Sequence, residues 1–308
     1  MTAQAVRRTH SVAPEVAAPC DDVAMRLARF ATDALIEEAH ATPKPALVDR
    51  RGSGAHRDLS LALMERSAYS LEPTFAALAR ASHGKHPSAA LRAELAAIGR
   101  TGEAVMMNAT QGSNAHRGAI WIIGLLVAGA TICGESARPL MSIAEAICGI
   151  GAQIACFPDH GAPLLDSHGA RVRARYGVGG ARREAQEGFP HVLRVGLPAL
   201  RAARHRGIAE RAARIDALLA VMTTLDDTCL LHRAGPPALA VAKEGAMQVL
   251  SHGGSSTPGG QAAFARLESR LLQLNASPGG AADLLAATLF IDRLAPQGAD
   301  GRIPTWSI

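Results

Sequence analysis

The sequence has few aromatic residues, only 3% of its 308 residues, and this scarcity restricts both its fold and its partners. A sheet core usually contains more aromatic and β-branched side chains, whereas a core of Ala and Leu suits close-packed helices. Single-stranded nucleic acids are usually bound by stacked aromatic rings, and the sequence also lacks a long Lys/Arg tract. We therefore expect a helical protein without a nucleic-acid partner.

The sequence also lacks a Cys-x-x-Cys pair, and its cysteines number five, which is odd. Both facts argue against a disulfide framework and a zinc knuckle, so we expect a reducing cytoplasmic location. Residues 1–20 contain arginines but no apolar segment, and they are expected to be a disordered lead-in rather than a signal peptide. The apolar run 118–134 is shorter than the roughly 20 residues of a membrane-spanning helix, which predicts a buried core helix and no membrane partner.

The common nucleotide-binding signatures are missing as well. There is no Walker A motif, and the glycines of Tyr176–Gly180 do not follow a strand pattern. Any ATP would therefore have to bind without a P-loop. The net charge of +5 nevertheless favours anionic ligands.

No strand alternation, βαβ rhythm or internal repeat is visible, whereas apolar residues recur at helical spacing. We predict an all-α single domain over residues 21–295, in which two lobes around a central cleft are one arrangement, and a loose tail over residues 296–308. Residues 158–180 are expected to be a long loop or a mobile lid, and residues 251–260 a linker. The predicted helices are 21–40, 59–82, 87–100, 118–130, 138–151, 191–206, 208–232, 261–274 and 279–294.

The most informative polar segment is Pro45–Asp58, with the sequence PALVDRRGSGAHRD, which follows Lys44. Its glycines predict a turn that a ligand can approach closely, and its arginines offer forked donors for phosphate oxygens. Its two aspartates suit a hard cation, which a polyphosphate brings with it. A solvated loop between two helices is the alternative. The phosphate-binding candidates here are Lys44, Arg50, Arg51 and Ser53, and the catalytic candidates are His56 and Asp58.

Five segments, in this order along the chain, resemble the triphosphoribosyl-dephospho-CoA synthase family. The form DRRGSGAH in the first segment is more similar to the malonate decarboxylase branch than to the citrate lyase branch. The five segments are PALVDRRGSGAHRD (45–58), GEAVMMNATQGSNAHRG (102–118), SHGARVRARYGVGGARREAQEGFP (167–190), TLDDTCLLHR (224–233) and SPGGAADLLAAT (277–288).

The resemblance implies an enzyme that joins the ribose C1 of ATP to the 2′-hydroxyl of 3′-dephospho-CoA and releases adenine. The triphosphate stays on the product, which is the precursor of a prosthetic group. A phosphoribosyl-transfer enzyme and an acyl-carrier subunit would receive that product, Mg²⁺ is the implied cofactor, and a homodimer is left open. A glycosyl transfer of this kind needs charge neutralisation at the triphosphate, a base for the attacking hydroxyl, and exclusion of water.

Several polar clusters can supply these parts. Asp226 and Asp227 precede an apolar helical run, and Asp226 and Arg233 are spaced to share a helix face. The general base is left open between Asp58, Asp226 and Asp227. Free N–H groups at the start of the helix after Ser277 are candidates to face a phosphate or adenine, and Asp283 is read as a complement to the helix dipole. The metal candidates are Asp58, Glu103, Asp226 and Asp227. The remaining substrate-binding candidates are Asn114, His116, Arg117, Arg175, Tyr176, Gly179, Arg182, His232, Arg233, Gly279 and Gly280.

Each cluster also has a plainer interpretation as a helix-end salt bridge, a capping histidine or a surface loop. Two other functions are kept as alternatives to the transferase. One is a helical metal-dependent nucleotide hydrolase that uses His56, Asp58, Asp226 and Asp227. The other is a non-catalytic nucleotide-binding scaffold of an acyl-carrier assembly.

Overall fold

Runs of apolar residues at helical spacing become helices throughout the part of the chain that the structure describes. The structure is a computed structural model, and it describes residues 19–134, 142–159, 161 and 168–295. The helices are α1 Pro19–His40, α2 Leu61–Ser82, α3 Ala89–Ala109, α4 Arg117–Gly134, α5 Ile143–Cys156, α6 His168–Tyr176, α7 Gly180–Gln186, α8 Leu197–His205, α9 Glu210–Thr224, α10 Thr228–Ser251, α11 Pro258–Gln273 and α12 Gly279–Leu294. A π-helical turn, Val192–Gly196, leads into α8.

The prediction of an all-α single domain is confirmed. Over the described ranges the structure contains no strand, and the pairing of Asp49 with Gly52 is an isolated bridge. One hydrophobic cluster takes in buried residues from α1 to α12, as expected for a single core. The expected lead-in and tail lie almost entirely outside the described residues.

Hydroxyl and carboxyl side chains determine where several helices begin. The Oγ atoms of Ser60 and Ser88 accept hydrogen bonds from the first turns of α2 and α3, at 3.4 and 3.2 Å. Ser142 and Glu145 form a reciprocal capping box at the start of α5. These caps satisfy backbone N–H groups that have no partner within the helix itself.

Helix α4 lies at the centre of the fold. It is long and apolar enough to cross a membrane by composition alone, but 78% of it is buried inside the structure. This burial fits the predicted core helix. Helix α12 is similarly apolar and packs against α4 and α1, so the first turns of α4 and α12 lie close together.

The predicted helix over residues 208–232 is wrong, because two helices occupy this range. Helix α9 ends at Thr224, and α10 starts at Thr228 after a break that contains Asp226 and Asp227. The Asp227 carboxylate accepts hydrogen bonds from the N–H groups of α10, and this cap competes with continuation of the preceding helix. Asp226 therefore does not share a helix face with Arg233.

The prediction of a loop over residues 158–180 is also wrong in part. Residues 168–176 form α6, while residues 160 and 162–167 lie outside the described residues. The helix predicted for 87–100 continues to Ala109, and the one predicted for 138–151 spans Ile143–Cys156. Helix α10 continues to Ser251 through a kink at Gly235. This glycine has a φ of 71° and is followed by two prolines.

Candidate active site

A cavity of about 1010 Å³ opens where the first turns of α4, α10 and α12 converge. This volume is at the upper end of the range of about 300–1,000 Å³ that is usual for small-molecule sites. The loop after α1 and parts of α3, α6 and α7 complete the wall. The N-terminal ends of helices attract anions, so three of them at one cavity favour a negatively charged ligand.

Asp227 joins two of these helices. Its side chain is 2% exposed, and its Oδ1 accepts hydrogen bonds from the backbone N–H groups of Cys229 and Leu230 at 2.8 and 3.4 Å. Its Oδ2 accepts the N–H of Ala281 in α12 at 3.0 Å, and the N–H of Gly280 contributes as well. Burial raises the pKa of Asp227, and these four donors oppose that shift. Because both oxygens are occupied, Asp227 is better placed to fix the helices than to accept a proton.

Asp283 is the fifth residue of α12, just past its first turn, and it lines the same cavity. In the described part of the chain no side chain donates to it, and a backbone hydrogen bond comes from Ala119. Burial and the nearby charges of Glu38 and Asp227 raise the pKa of Asp283 well above its usual value. The sequence suggested only a dipole role, whereas the structure places the Asp283 carboxyl in the cavity wall with unused hydrogen-bonding capacity.

A buried ion pair lies beside these acids. Lys44 is 1% exposed, and its Nζ donates to Glu38 Oε1 at 2.5 Å and to the Glu38 carbonyl oxygen at 2.8 Å. Both residues line the cavity. Lys44 thus lines the cavity, but its ammonium group already pairs with a carboxylate that the sequence analysis did not single out.

His56 connects the loop after α1 to α10 and to the segment that precedes α12. Arg233 Nη2 donates to His56 Nδ1 at 3.0 Å, and His56 Nε2 lies 2.9 Å from Ser277 Oγ. Because arginine can only donate, His56 Nδ1 must accept, and Nε2 then carries the proton. Burial, followed by the charge of Arg233, lowers the pKa of His56 to about 4. His56 is therefore neutral at pH 7 and has both nitrogens engaged.

His116 lines the cavity and has one ring nitrogen without a partner in the described residues. It is 3% exposed, and its Nδ1 shares a hydrogen bond of 2.7 Å with Ser67 Oγ. Its Nε2 is buried and has no partner in the described residues. Burial, with a smaller effect of Lys44, lowers the pKa of His116 to about 3. A neutral imidazole with an unsatisfied nitrogen can make one hydrogen bond to a ligand.

The structure brings most, but not all, of the predicted site residues to this cavity. The predicted residues that line it are Lys44, His56, Asp58, Asn114, His116, Arg117, Arg182, Asp226, Asp227, His232, Arg233, Gly279 and Gly280. The predicted residues that do not line it are Arg50, Arg51, Ser53, Glu103, Arg175, Tyr176 and Gly179. Arg51 instead donates to Asp49 and Glu268, which ties its loop to α11.

The four predicted metal ligands do not form a single cluster. Over the described ranges, no group of three or more His, Cys, Asp or Glu side chains converges as a metal site would require. Glu103 pairs with Arg117, and the exposed Asp226 accepts a hydrogen bond from Lys243 at 2.7 Å. Asp58 is also exposed, with an oxygen 3.8 Å from His56 Nδ1. Asp58 and Asp226 are the two that have solvent-accessible carboxylates at the cavity.

The cavity residues that were not identified as site residues from the sequence include Glu38, Arg92, Trp121 and Asp283. Glu38 and Arg92 lie within helical patterns that also fit exposed polar positions, and Trp121 belongs to an apolar core run. Asp283 left a weak signal, because it is the one acid in the small apolar run AADLLAAT.

The fold and the cavity define a class: a helical protein with one large cavity at converging helix N-termini, lined by carboxylates, arginines and neutral histidines. Comparison with known proteins is more specific. The family model CitG, described as ATP:dephospho-CoA triphosphoribosyl transferase, matches residues 24–301, and the chain belongs to this family of enzymes. The five resembling segments identified the same family from the sequence.

Individual relatives agree with this assignment. A protein of Pseudomonas aeruginosa (strain UCBPP-PA14), named probable 2-(5''-triphosphoribosyl)-3'-dephosphocoenzyme-A synthase, is 54% identical over 89% of this chain and 92% of its own length. A Klebsiella pneumoniae protein, named 2-(5''-triphosphoribosyl)-3'-dephosphocoenzyme-A synthase, is 53% identical over 87% of this chain and 94% of its own. No solved structure matches the chain significantly.

Proposed function

We propose that this enzyme joins the ribose C1 of ATP to the 2′-hydroxyl of 3′-dephospho-CoA, releases adenine and leaves the triphosphate on the product. The observation that carries this proposal is Asp283, a cavity carboxyl held at the junction of α4 and α12 with hydrogen-bonding capacity to spare. A glycosyl transfer requires such a group to take the proton of the attacking hydroxyl. Membership of the family supplies the identities of the two substrates.

The proposed reaction neither consumes nor releases a net proton. The hydroxyl loses one proton as its oxygen bonds to C1, and adenine takes up one proton as the bond from its nitrogen to C1 breaks. Asp283 is proposed to accept the hydroxyl proton, because burial and neighbouring acids raise the proton affinity of its carboxylate. Asp227 is proposed to hold α10 and α12 in register, because backbone donors occupy both of its oxygens.

His116 is proposed to hydrogen-bond the departing adenine. Its Nε2 has no partner in the described residues, and its low pKa keeps the ring neutral at pH 7. A neutral ring adds no positive charge beside the oxocarbenium-like ribose, which a protonated imidazole would destabilise. The enclosed wall around it also limits the access of water, which would otherwise hydrolyse ATP to free adenine.

Mg²⁺ is proposed as the ion that accompanies the triphosphate. Two carboxylates are enough protein ligands for this ion, since Mg²⁺ commonly takes only one or two and completes its shell with phosphate oxygens and water. Asp58 and Asp226 would hold it, because both carboxylates are exposed at the cavity. When bound, it would neutralise the triphosphate charge.

The setting of the enzyme is also a proposal. The form DRRGSGAH at residues 49–56 supports the malonate decarboxylase branch, in which the product would pass to a phosphoribosyl-transfer enzyme and then to the acyl-carrier subunit. The described cysteines, Cys133, Cys148, Cys156 and Cys229, are free thiols, which supports a cytoplasmic location. A homodimer is also proposed, and the molecular mass obtained from solution scattering would test it.

The test is an incubation with Mg²⁺, dephospho-CoA and ATP labelled on its γ-phosphate. We expect the label in a dephospho-CoA adduct, and adenine released in an equal amount. Label in free phosphate or pyrophosphate, with adenine still attached to ribose, would support the hydrolase instead. Binding of ATP without any product would support the scaffold.

A further inference from the structure

Arg92, in α3, is buried in the cavity wall without a hydrogen-bonded counter-ion in the described part of the chain. The residue is 6% exposed, and its Nε is buried without a partner. The carboxylate of Asp159 lies 3.7 Å from Arg92 Nη2, which is beyond hydrogen-bonding distance. Asp159 instead accepts a hydrogen bond of 2.9 Å from Arg100. Arg92 therefore keeps unused donors at the cavity.

Trp121, in α4, holds the guanidinium of Arg92 in place. The Arg92 Cζ lies 4.5 Å from the centre of the indole ring, and Trp121 Nε1 donates to the carbonyl oxygen of Ala181 at 3.3 Å. Stacking on an aromatic ring uses the flat face of a guanidinium and leaves the N–H groups at its edge available. The arrangement resembles a preorganised donor rather than a satisfied structural ion pair.

The charges around Arg92 do not balance. Arg100 and Arg182 are close enough to disfavour its positive charge, and Asp159 is the carboxylate that favours it. Arg173 and Arg182 line the same cavity. Burying a cation without a hydrogen-bonded counter-ion is unfavourable unless another partner compensates it, so an anion in the cavity would stabilise this wall.

We propose that Arg92 and Trp121, together with Arg182, form an anion subsite that binds a phosphoryl group of a polyphosphate ester. The inference rests on the proposed function, which supplies two such esters: the triphosphate of ATP and the diphosphate of dephospho-CoA. Trp121 follows Gly118 by three residues in α4, a rise of about 4.5 Å. Because Gly118 lies against Asp283, the subsite holds a phosphate chain beside the proton-accepting carboxyl.

The test is calorimetric titration of the wild type, Arg92→Met and Arg100→Met with four ligands, one at a time: inorganic tripolyphosphate, pyrophosphate, ATP with Mg²⁺, and dephospho-CoA. Arg100 is the matched control, because it bonds the same Asp159 but does not line the cavity. We expect Arg92→Met to bind at least one inorganic anion and one substrate about tenfold or more weakly than the wild type. This loss of affinity corresponds to about 1.4 kcal/mol. The substrate that loses affinity identifies the source of the phosphate. Unchanged affinities in Arg92→Met, or an equal loss in Arg100→Met, would overturn the subsite.

Thermal unfolding without ligand separates binding from a structural role. Removal of a buried cation that lacks a hydrogen-bonded counter-ion, and whose neighbour Asp159 keeps its bond to Arg100, should leave the Tm of Arg92→Met equal to or above that of the wild type. A lower Tm with unchanged affinities would mean that Arg92 only supports the fold. Arg92→Lys, which keeps the charge but not the fork, covers the case in which Arg92→Met does not fold, and unchanged affinities in it would also overturn the proposal. The titrations with inorganic anions need no turnover, so a failure to release adenine would reject the proposed reaction and leave the subsite standing.

Discussion

The backbone N–H of Ala281 donates to the Asp227 carboxylate at 3.0 Å, so the residue that caps α10 also holds the first turn of α12. This one contact explains why two distant segments of the sequence meet at the cavity. It also leaves little room for side chains, because a Cβ on Gly280 would lie 3.0 Å from Asp227 Oδ1. The neighbouring Asp226 makes no such contact and pairs with Lys243 at the surface.

The two adjacent aspartates should therefore differ in their effect on stability. We expect Asp227→Ala to lower the free energy of unfolding by about 2–4 kcal/mol, because it removes a helix cap and leaves buried N–H groups of α10 and α12 unsatisfied. Asp226→Ala should change it by about 1 kcal/mol or less, as is usual for an exposed ion pair. Urea unfolding followed by far-UV circular dichroism measures both. Equal losses in the two variants would contradict the assigned roles.

Asp283→Asn should reduce turnover and increase stability together. Loss of a general base should slow adenine release by about 100-fold or more. A carboxyl whose pKa is raised by folding contributes stability that is lost as pH rises through its folded pKa, so Asp283 is destabilising above that pH. The amide carries no charge, and Asp283→Asn should unfold at a higher temperature than the wild type at pH 8.

The measurements for Asp283→Asn are initial rates of adenine release and Tm values at pH 5 and pH 8. Because protonation also removes the charge in the wild type, the difference in Tm should be larger at pH 8. Glu244→Gln is a suitable control, since Glu244 lies in the second half of α10 and does not line the cavity. A variant of Asp283 with normal turnover would exclude it as the base.

The sequence predicted the helical fold well and the site only in part, for physical reasons that particular residues illustrate. Helix α4 was predictable because an unbroken apolar run can be buried only as a core element. The break between α9 and α10 was not, because Asp227 looks like any acid within a helical run until its contact with Ala281 is known. Arg92 was missed for a similar reason: an arginine in an amphipathic helix resembles a solvated residue, and only the position of Trp121 shows that it is buried.

Stability should depend on pH through His116. In the unfolded chain its pKa is that of an ordinary histidine, about 6.5, whereas burial lowers it to about 3 in the fold. Between these values the unfolded state binds one more proton, so stability is lost as pH falls below about 6.5, by about 1.4 kcal/mol for each pH unit. We expect His116→Gln to take up about one proton fewer on unfolding in this pH range. The slope of its stability against pH should therefore be smaller by about 1.4 kcal/mol for each pH unit.

Urea unfolding at pH 4.5, 5.5 and 6.5 gives the slope for each protein, and the slope is unaffected by any uniform loss of stability in the variant. His252→Gln is the matched control, because His252 is an exposed histidine at the end of α10. His56 should contribute in the same direction, since its pKa is lowered to about 4. If His116→Gln and His252→Gln have the same slope, His116 is not the residue responsible.

The close approach of α4 to Asp283 should make Gly118 intolerant of any side chain. A Cβ at this position would lie 2.0 Å from Asp283 Oδ2, so Gly118→Ala must displace either the carboxyl or the first turn of α4. We expect a loss of about 1–3 kcal/mol in stability, as is usual for overpacking, together with slower adenine release. Urea unfolding and initial rates of adenine release measure the two effects.

Gly149→Ala is the control for Gly118→Ala, because Gly149 lies inside α5 and a Cβ there would have no neighbouring atom within 4 Å. This variant should gain about 0.5–1 kcal/mol from helix propensity, and its turnover should be unchanged. Normal activity in Gly118→Ala would show that the position of Asp283 is not critical, and the proton-accepting role proposed for it would then have to be assigned elsewhere in the cavity.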